Sequence, residues 1–156
     1  MQTNKKKITN NIQERIKKYC AIEERCEFDI RKKLIQWRVK KNTINEIIEN
    51  LIKNRFLNEE RFVKIFCEVK FRTRKWGRIK IIYELKKRYI SEKNINKGLA
   101  VINDTEYIKI LKELLQKKSK SINESNQLKK KQKIINFLLQ KGFESNLIWD
   151  YIDTYN

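Results

Sequence analysis

The sequence predicts an all-α protein of tandem three-helix modules, because one apolar pattern occurs three times and no strand-like alternation persists beyond a few residues. Each repeat contains five apolar residues separated by steps of four, five, five and four positions. The periods from one repeat to the next are 51 and 53 residues, and no repeat needs an internal gap. The repeated positions are Ile30, Leu34, Val39, Ile44 and Ile48; Ile81, Leu85, Ile90, Ile95 and Leu99; and Ile134, Leu138, Phe143, Ile148 and Ile152.

The spacing within each repeat predicts a helix, a tight turn and a second helix. Two residues precede the middle apolar position of each repeat: Trp37-Arg38, Arg88-Tyr89 and Lys141-Gly142. Only the third pair contains glycine, the residue that helices prefer at a left-handed C-terminal position.

Further helices are expected before and between the repeats. A helical apolar period begins at Ile12 and weakens near Cys26. Thr43 is predicted to cap the second helix of the first repeat, with Glu46 completing a capping box. Asp104 is predicted to cap a helix that runs to about residue 118.

The helix predicted from Asn58 to residue 75 has one apolar stripe and one basic face. Asn58 is a favourable N-cap, and Glu59 and Glu60 complement the helix dipole in the first turn. Phe71 lies off the stripe, and its role stays open at this point. The stripe expected to be buried consists of Phe62, Phe66, Val69, Thr73 and Trp76.

These elements suggest five segments along the chain. We expect a flexible basic arm at 1–11, a first helical module at 12–76, a second at 77–118, a hinge at 119–125 and a third module at 126–156. For the third module only two helices are predicted. Each module alone buries little apolar surface, so an elongated array of modules packed on their neighbours is expected.

The composition favours a polyanionic partner. The chain has 38 Lys and Arg against 19 Asp and Glu, a formal net charge of +19, and 40% hydrophobic residues, enough for a core. A/T-biased coding, which enriches Lys, Asn and Ile, is an alternative source of part of this charge. The N-terminus has no apolar run typical of a signal peptide, and no window is long and apolar enough for a membrane span. A cytoplasmic protein without a membrane partner is therefore expected.

The sequence favours a binding protein over an enzyme. It contains no His, no phosphate-binding glycine motif and no nucleophile elbow, so no catalytic residue, metal site or cofactor is predicted. The three cysteines lack metal-type spacing and are expected to be buried or bystander thiols.

The strongest binding signal is a basic segment interleaved with aromatic residues, since cations contact phosphates and aromatic rings stack on bases. A core role is favoured for Trp76, which continues the apolar stripe. The predicted contact residues for a partner or DNA are Arg72, Arg74, Lys75, Arg78, Lys80, Lys86, Lys87 and Arg88.

From about Tyr19 to Ile152 the chain resembles the RecX family of bacterial recombination regulators. Arg55 and Tyr89 stand where that family usually has glycine, so these helix ends are expected to form without the permissive residue. The residues that carry the resemblance are Arg25, Asp29-Ile30, Lys33-Leu34, Phe56-Leu57-Asn58-Glu59 with Phe62, Gly77, Ile81, Glu84-Leu85, Arg88, Ile90-Ser91, and Leu138 with Lys141-Gly142-Phe143.

The resemblance implies a protein that binds the RecA recombinase filament on DNA and lowers its ATPase, strand-exchange and co-protease activities. A monomer is expected, whose basic surface contacts single- or double-stranded DNA. Such a protein modulates DNA repair, recombination and the SOS response. Two other hypotheses remain: a stand-alone DNA-binding protein of helix-turn-helix type, and a helical scaffold for another protein. In the first, a helix at 44–54 would present Asn45, Asn50, Lys53 and Asn54 to the major groove.

Overall fold

Nine α-helices, and no strand, form the part of the chain that the structure describes, residues 1–155, with only the backbone described for Tyr155. This structure is a computed structural model. The helices are α1 (Gln2–Ile22), α2 (Glu27–Gln36), α3 (Lys41–Lys53), α4 (Glu59–Arg74), α5 (Arg78–Lys86), α6 (Glu92–Leu99), α7 (Asp104–Ser121), α8 (Gln127–Lys141) and α9 (Ser145–Ile152), with a 3-10 turn at Asp153–Tyr155. No helix within 1–155 is both long and apolar enough to cross a bilayer.

The helices pack as three modules of three: α1 to α3, α4 to α6, and α7 to α9. This grouping differs from the expected one, because α4 begins the second module instead of ending the first. In the same way α7 begins the third module, which is therefore a complete three-helix unit. The apolar repeat marks only the second and third helices of each module, so it does not decide whether α4 and α7 end one module or begin the next.

The tight turn inside each repeat is a Schellman closure of the module's second helix. At the end of α2, the Val39 N–H donates to the Leu34 carbonyl at 3.0 Å and the Arg38 N–H to the Ile35 carbonyl at 2.9 Å. The ends of α5 and α8 repeat this pattern. The middle apolar residue of each repeat is the hydrophobic residue that accompanies this motif. In these three turns the left-handed residues are Arg38 (φ 58°), Tyr89 (φ 57°) and Gly142 (φ 91°). Arg55 (φ 60°) and Lys75 (φ 56°) adopt the same conformation after α3 and α4.

The buried residues form two separate cores. The first module has its own core, which includes Ile16, Ile30 and Leu51. The second and third modules share one continuous core around Phe71 and Tyr107, to which the first module contributes Cys26. Modules two and three therefore behave as one packed unit, to which the first module is attached.

Two flexible segments expected from the sequence have helical structure instead. Residues 2–11 form the first half of α1, because a stretch without Pro or Gly extends the helix whose second half is packed. The expected hinge is shorter, since α7 continues to Ser121 and Ile122 packs against the shared core.

Helix caps agree with the sequence at one position and differ at two. The Asn58 side chain accepts the Arg61 N–H at 2.8 Å, which confirms its predicted cap. Thr43 lies inside α3, whose N-cap is Lys40 with no side-chain cap bond. The cap of α7 is Asn103, so Asp104 is its first residue.

The buried face of α4 is rotated from the predicted stripe. Phe62 is buried as expected, but Val69 and Thr73 are exposed. Phe71 is fully buried and stacks on Tyr107 with 5.6 Å between ring centroids. The residues that α4 buries are Phe62, Val63, Cys67 and Phe71.

Candidate nucleic-acid interface

The eight predicted contact residues separate into two groups by their ion pairs. Those that pair with carboxylates are Arg72, Arg78, Lys87 and Arg88. Those without a carboxylate partner among residues 1–155 are Arg74, Lys75, Lys80 and Lys86. The second group has positive charge that no part of the described fold neutralises directly.

Arg78 joins the second module to the third. Its backbone N–H donates to the Tyr107 hydroxyl at 3.0 Å, and its guanidinium carbon lies 4.0 Å from the Tyr107 ring centroid. The guanidinium also pairs with Asp104 and Glu144. Tyr107 in turn donates its O–H to Glu144 at 2.5 Å. Burial, followed by this hydrogen bond, raises the pKa of Tyr107, so its hydroxyl remains a donor at neutral pH.

Arg88 joins the second module to the first. Its guanidinium pairs with Glu84 at 3.3 Å on its own helix and with Asp29 of α2 at 3.7 Å. A second connection between these modules is the ion pair between Arg61 and Glu24. Arg78 and Arg88 therefore have structural partners that a nucleic acid would have to displace.

Cations lie against the Trp76 ring, precede it directly in the chain or contact the neighbouring backbone, in a group that we name the Trp76 cluster: Lys70, Arg74, Lys75, Trp76, Lys80 and Lys141. The Trp76 ring is half-buried, and it lies 5.1 Å from the Lys70 Nζ and 4.7 Å from the Lys80 Nζ. The Lys141 Nζ donates to the Arg74 carbonyl at 3.0 Å. None of the five cations pairs with a carboxylate in the described chain.

The cluster is assembled by a direct contact between two helix ends. The Gly77 N–H donates to the Lys141 carbonyl at 2.7 Å, and the Ile79 N–H donates to the Gly142 carbonyl at 3.0 Å. A Cβ on Gly77 would lie 2.2 Å from the Gly142 carbonyl, so only glycine permits this approach. The contact places Lys141 of the third module beside cations of the second.

The electrostatics of the cluster favour an anion. Partial burial lowers the pKa of Lys141, and the charges of Lys80 and Arg74 lower it further. An anion bound there would relieve this repulsion, because opposite charge stabilises the protonated amine. Cations around a partly exposed indole ring are also what a single strand requires for phosphate contacts and base stacking.

The Trp76 cluster differs from the set of contact residues predicted from the sequence. Trp76 packs against the core, as predicted, and also supports two cations at the surface. Lys141 was missed, because its position depends on the Gly77–Gly142 contact between distant segments, which no local pattern reveals. Lys86 is exposed near the other end of α5 and has no contact with the cluster among the interactions described.

The polar side chains of α3 are mostly engaged within the protein. Asn45 accepts a hydrogen bond from Arg31 at 2.8 Å. The Asn54 amide donates to the Asn50 carbonyl at 2.9 Å and to its side-chain oxygen at 3.2 Å. A groove-reading role would require these bonds to break, so the geometry gives the helix-turn-helix hypothesis no particular support.

Family models match the second and third modules. The second three-helix domain of RecX matches residues 58–99, and the third three-helix domain matches residues 104–152. These bounds agree with the grouping of α4 to α6 and α7 to α9. The first module lies outside both matches.

Similar proteins include two named Regulatory protein RecX. One, from Clostridium acetobutylicum, is 32% identical over 121 residues, which cover 75% of this chain and 56% of that protein. Another, from Halalkalibacterium halodurans, is 30% identical over 105 residues, which cover 67% of this chain and 40% of that protein. The chain therefore spans about half the length of the curated relatives it matches.

Two crystal structures have the same fold. A regulatory protein RecX superposes with a TM-score of 0.84 and 21% identity, over 93% of this chain and 73% of the other. RecX from Lactobacillus salivarius superposes with a TM-score of 0.80 and 21% identity, over 94% of this chain and 96% of the other. Since the two domain models together match more than half of the chain, this protein belongs to the RecX family.

Proposed function

We propose that this chain is a regulator that binds the RecA nucleoprotein filament and lowers its ATP hydrolysis, strand exchange and co-protease activity. It would act in the cytoplasm, as a monomer and without catalysis, on DNA repair, recombination and the SOS response. The observation that carries the proposal is the Trp76 cluster in a chain of the RecX family. There Lys70 and Lys80 lie against Trp76 and Lys141 lies against the Arg74 carbonyl, all without a carboxylate partner in the described part of the chain.

The proposed mechanism is a difference in affinity between two filament states. The Trp76 cluster would contact DNA phosphates within the filament, while the packed unit of modules two and three bridges recombinase subunits. A ligand shifts a conformational equilibrium only by the difference between its affinities for the two states. Binding to one filament geometry would therefore disfavour the changes that accompany ATP hydrolysis.

The test is ATP hydrolysis by RecA on single-stranded DNA, titrated with this protein. The variant Arg74→Glu with Lys80→Glu reverses two charges of the cluster, on exposed Arg74 and half-buried Lys80, that have no carboxylate partner among residues 1–155. The matched control is Lys93→Glu with Lys117→Glu, which reverses two exposed charges elsewhere on modules two and three that are also without a carboxylate partner in the described chain. It has the same net charge as the first variant.

We expect the wild type and the control to inhibit at less than one copy per recombinase monomer. The cluster variant should need at least about 25-fold more protein at about 0.1 M salt, since two phosphate contacts are lost and both charges are reversed. Inhibition unchanged in the cluster variant would favour the scaffold hypothesis. Salt-sensitive binding to bare DNA without any inhibition by the wild type would contradict the regulatory proposal and favour a stand-alone DNA-binding protein.

A further inference from the structure

The first module has a row of alternating cations and aromatic rings that lies outside both family-model matches. We name it the Trp37 row. It is formed by the end of α2, the middle of α1 and the connection between these helices. Its members, in spatial order, are Arg15, Trp37, Lys33, Tyr19 and Arg25.

Each neighbouring pair in the Trp37 row is in cation–π contact. The Arg15 guanidinium carbon lies 4.1 Å from the Trp37 ring centroid, and the Lys33 Nζ lies 5.9 Å from the same ring. Lys33 also lies 5.3 Å from the Tyr19 ring, above which the Arg25 guanidinium carbon lies at 4.1 Å. One lysine thus contacts two rings, and each ring also contacts an arginine.

The charges of the row are unequal along its length. Arg15 is exposed and Lys33 is half-buried, and neither pairs with a carboxylate in the described chain. Arg25 is neutralised by Glu23 at 2.5 Å. Asp29 lines a cavity of about 240 Å³ together with Tyr19 and Lys33. The end at Arg15 and Trp37 therefore has the free positive charge, and the end at Arg25 does not.

We propose that the Trp37 row is a second binding site for single-stranded nucleic acid. Phosphates would bind Arg15 and Lys33, and a base would stack on the outer face of the Arg15 guanidinium, extending the stack that begins at Trp37. An arginine already held over a ring loses less conformational freedom when it binds a phosphate. The proposal rests on the proposed function for its choice of a nucleic acid as the polyanion.

The test uses the full chain and an oligothymidylate of about 40 nucleotides, without RecA. The variant Arg15→Gln with Lys33→Gln removes the two free charges, and Lys40→Gln with Lys41→Gln is its matched control. Lys40 and Lys41 are exposed at the start of α3 in the same module, and both variants have the same net charge. Thermal unfolding followed by circular dichroism confirms that each variant is folded.

Loss of two phosphate contacts should weaken binding about 25-fold at about 0.1 M salt. The slope of log K against log salt concentration should become less steep by about 1.4, because each single-strand contact contributes about 0.7. The control should bind as the wild type does. Arg15→Lys should recover the salt slope without the full affinity, because lysine keeps the charge and loses the planar stack. If Arg15 had a purely structural role, Arg15→Lys would not restore the salt slope while leaving the affinity reduced.

A direct readout is the emission of Trp37 in a chain with Trp76→Phe and Trp149→Phe. We expect oligothymidylate to change that emission at the concentration at which it binds. Equal affinity of the row variant and its control, or constant Trp37 emission, would overturn the second site. So would the absence of wild-type binding to the oligonucleotide. Inhibition of the RecA ATPase in any of these cases would leave the proposed function standing.

Discussion

The contact between Gly77 and Gly142 gives the sharpest test of how the second and third modules are joined. In Gly77→Ala, the new Cβ would lie 2.2 Å from the Gly142 carbonyl carbon and oxygen and 2.4 Å from the Phe143 nitrogen. All three atoms are backbone, so no side chain can rotate away. The start of α5 would have to withdraw by at least about 1.3 Å to reach an ordinary van der Waals distance of about 3.5 Å.

The cost of that withdrawal can be estimated from the bonds it breaks. It would stretch the hydrogen bonds from Gly77 and Ile79 to the end of α8, each with a net contribution of about 1 kcal/mol. Looser packing of the shared core adds about 1–2 kcal/mol. Alanine restricts the unfolded chain and offsets about 0.5–1 kcal/mol, because φ −74° at Gly77 is allowed for alanine. We therefore expect a net loss of about 2–3.5 kcal/mol.

The assay is urea unfolding followed by helical circular dichroism at neutral pH. Gly77→Ala should lower the free energy of unfolding, and it should also weaken binding at the Trp76 cluster, because Lys141 moves with the end of α8. Stability that is unchanged, or higher by the 0.5–1 kcal/mol expected from the unfolded chain alone, would refute the steric reasoning.

The other predictions concern a strained helix end and the thiols. Arg38→Gly should raise the free energy of unfolding by about 0.5–1 kcal/mol, because an exposed arginine occupies the left-handed region at φ 58°. A lower free energy of unfolding in urea would contradict this. Burial raises the pKa of the Cys26 and Cys67 thiols to about 12. A thiol reagent at pH 8 should therefore modify half-buried Cys20 first, and equal rates at all three cysteines would be inconsistent with the burial. The pKa of each buried thiol is higher in the folded chain than its unfolded value of about 9. The free energy of unfolding should therefore keep its full value below pH 9 and fall as the pH rises from 9 to 12.

The sequence was sufficient for the fold class and the turns, because both depend on local periodicity. Ile30 and Leu34 lie on one helix and Ile44 and Ile48 on the next, as their spacing predicts. Val39 between them closes the Schellman turn. The module boundaries required tertiary contacts, since the first helix of each module lacks the repeated spacing.

The orientation of α4 shows why periodicity alone leaves two choices. Two stripes with helical spacing share Phe62, and one continues through Val69 while the other continues through Cys67 to Phe71. The second stripe is the buried one because α6 packs closely on it: a Cβ on Gly98 would lie 2.9 Å from the Cys67 sulfur. No property of α4 itself contains that information.

The three left-handed turns explain why a glycine is needed at only one of them. Arg38 and Tyr89 adopt φ near 58° with exposed side chains, so each turn bears a conformational cost of about 1 kcal/mol and no clash. At Gly142, a Cβ would also lie 2.3 Å from the Cβ of Lys80, so any side chain would separate α5 from α8. The same approach brings Lys141 beside Arg74 and Lys80. Because one contact both joins the modules and assembles the Trp76 cluster, we expect substitutions at Gly142 to reduce stability and polyanion binding together.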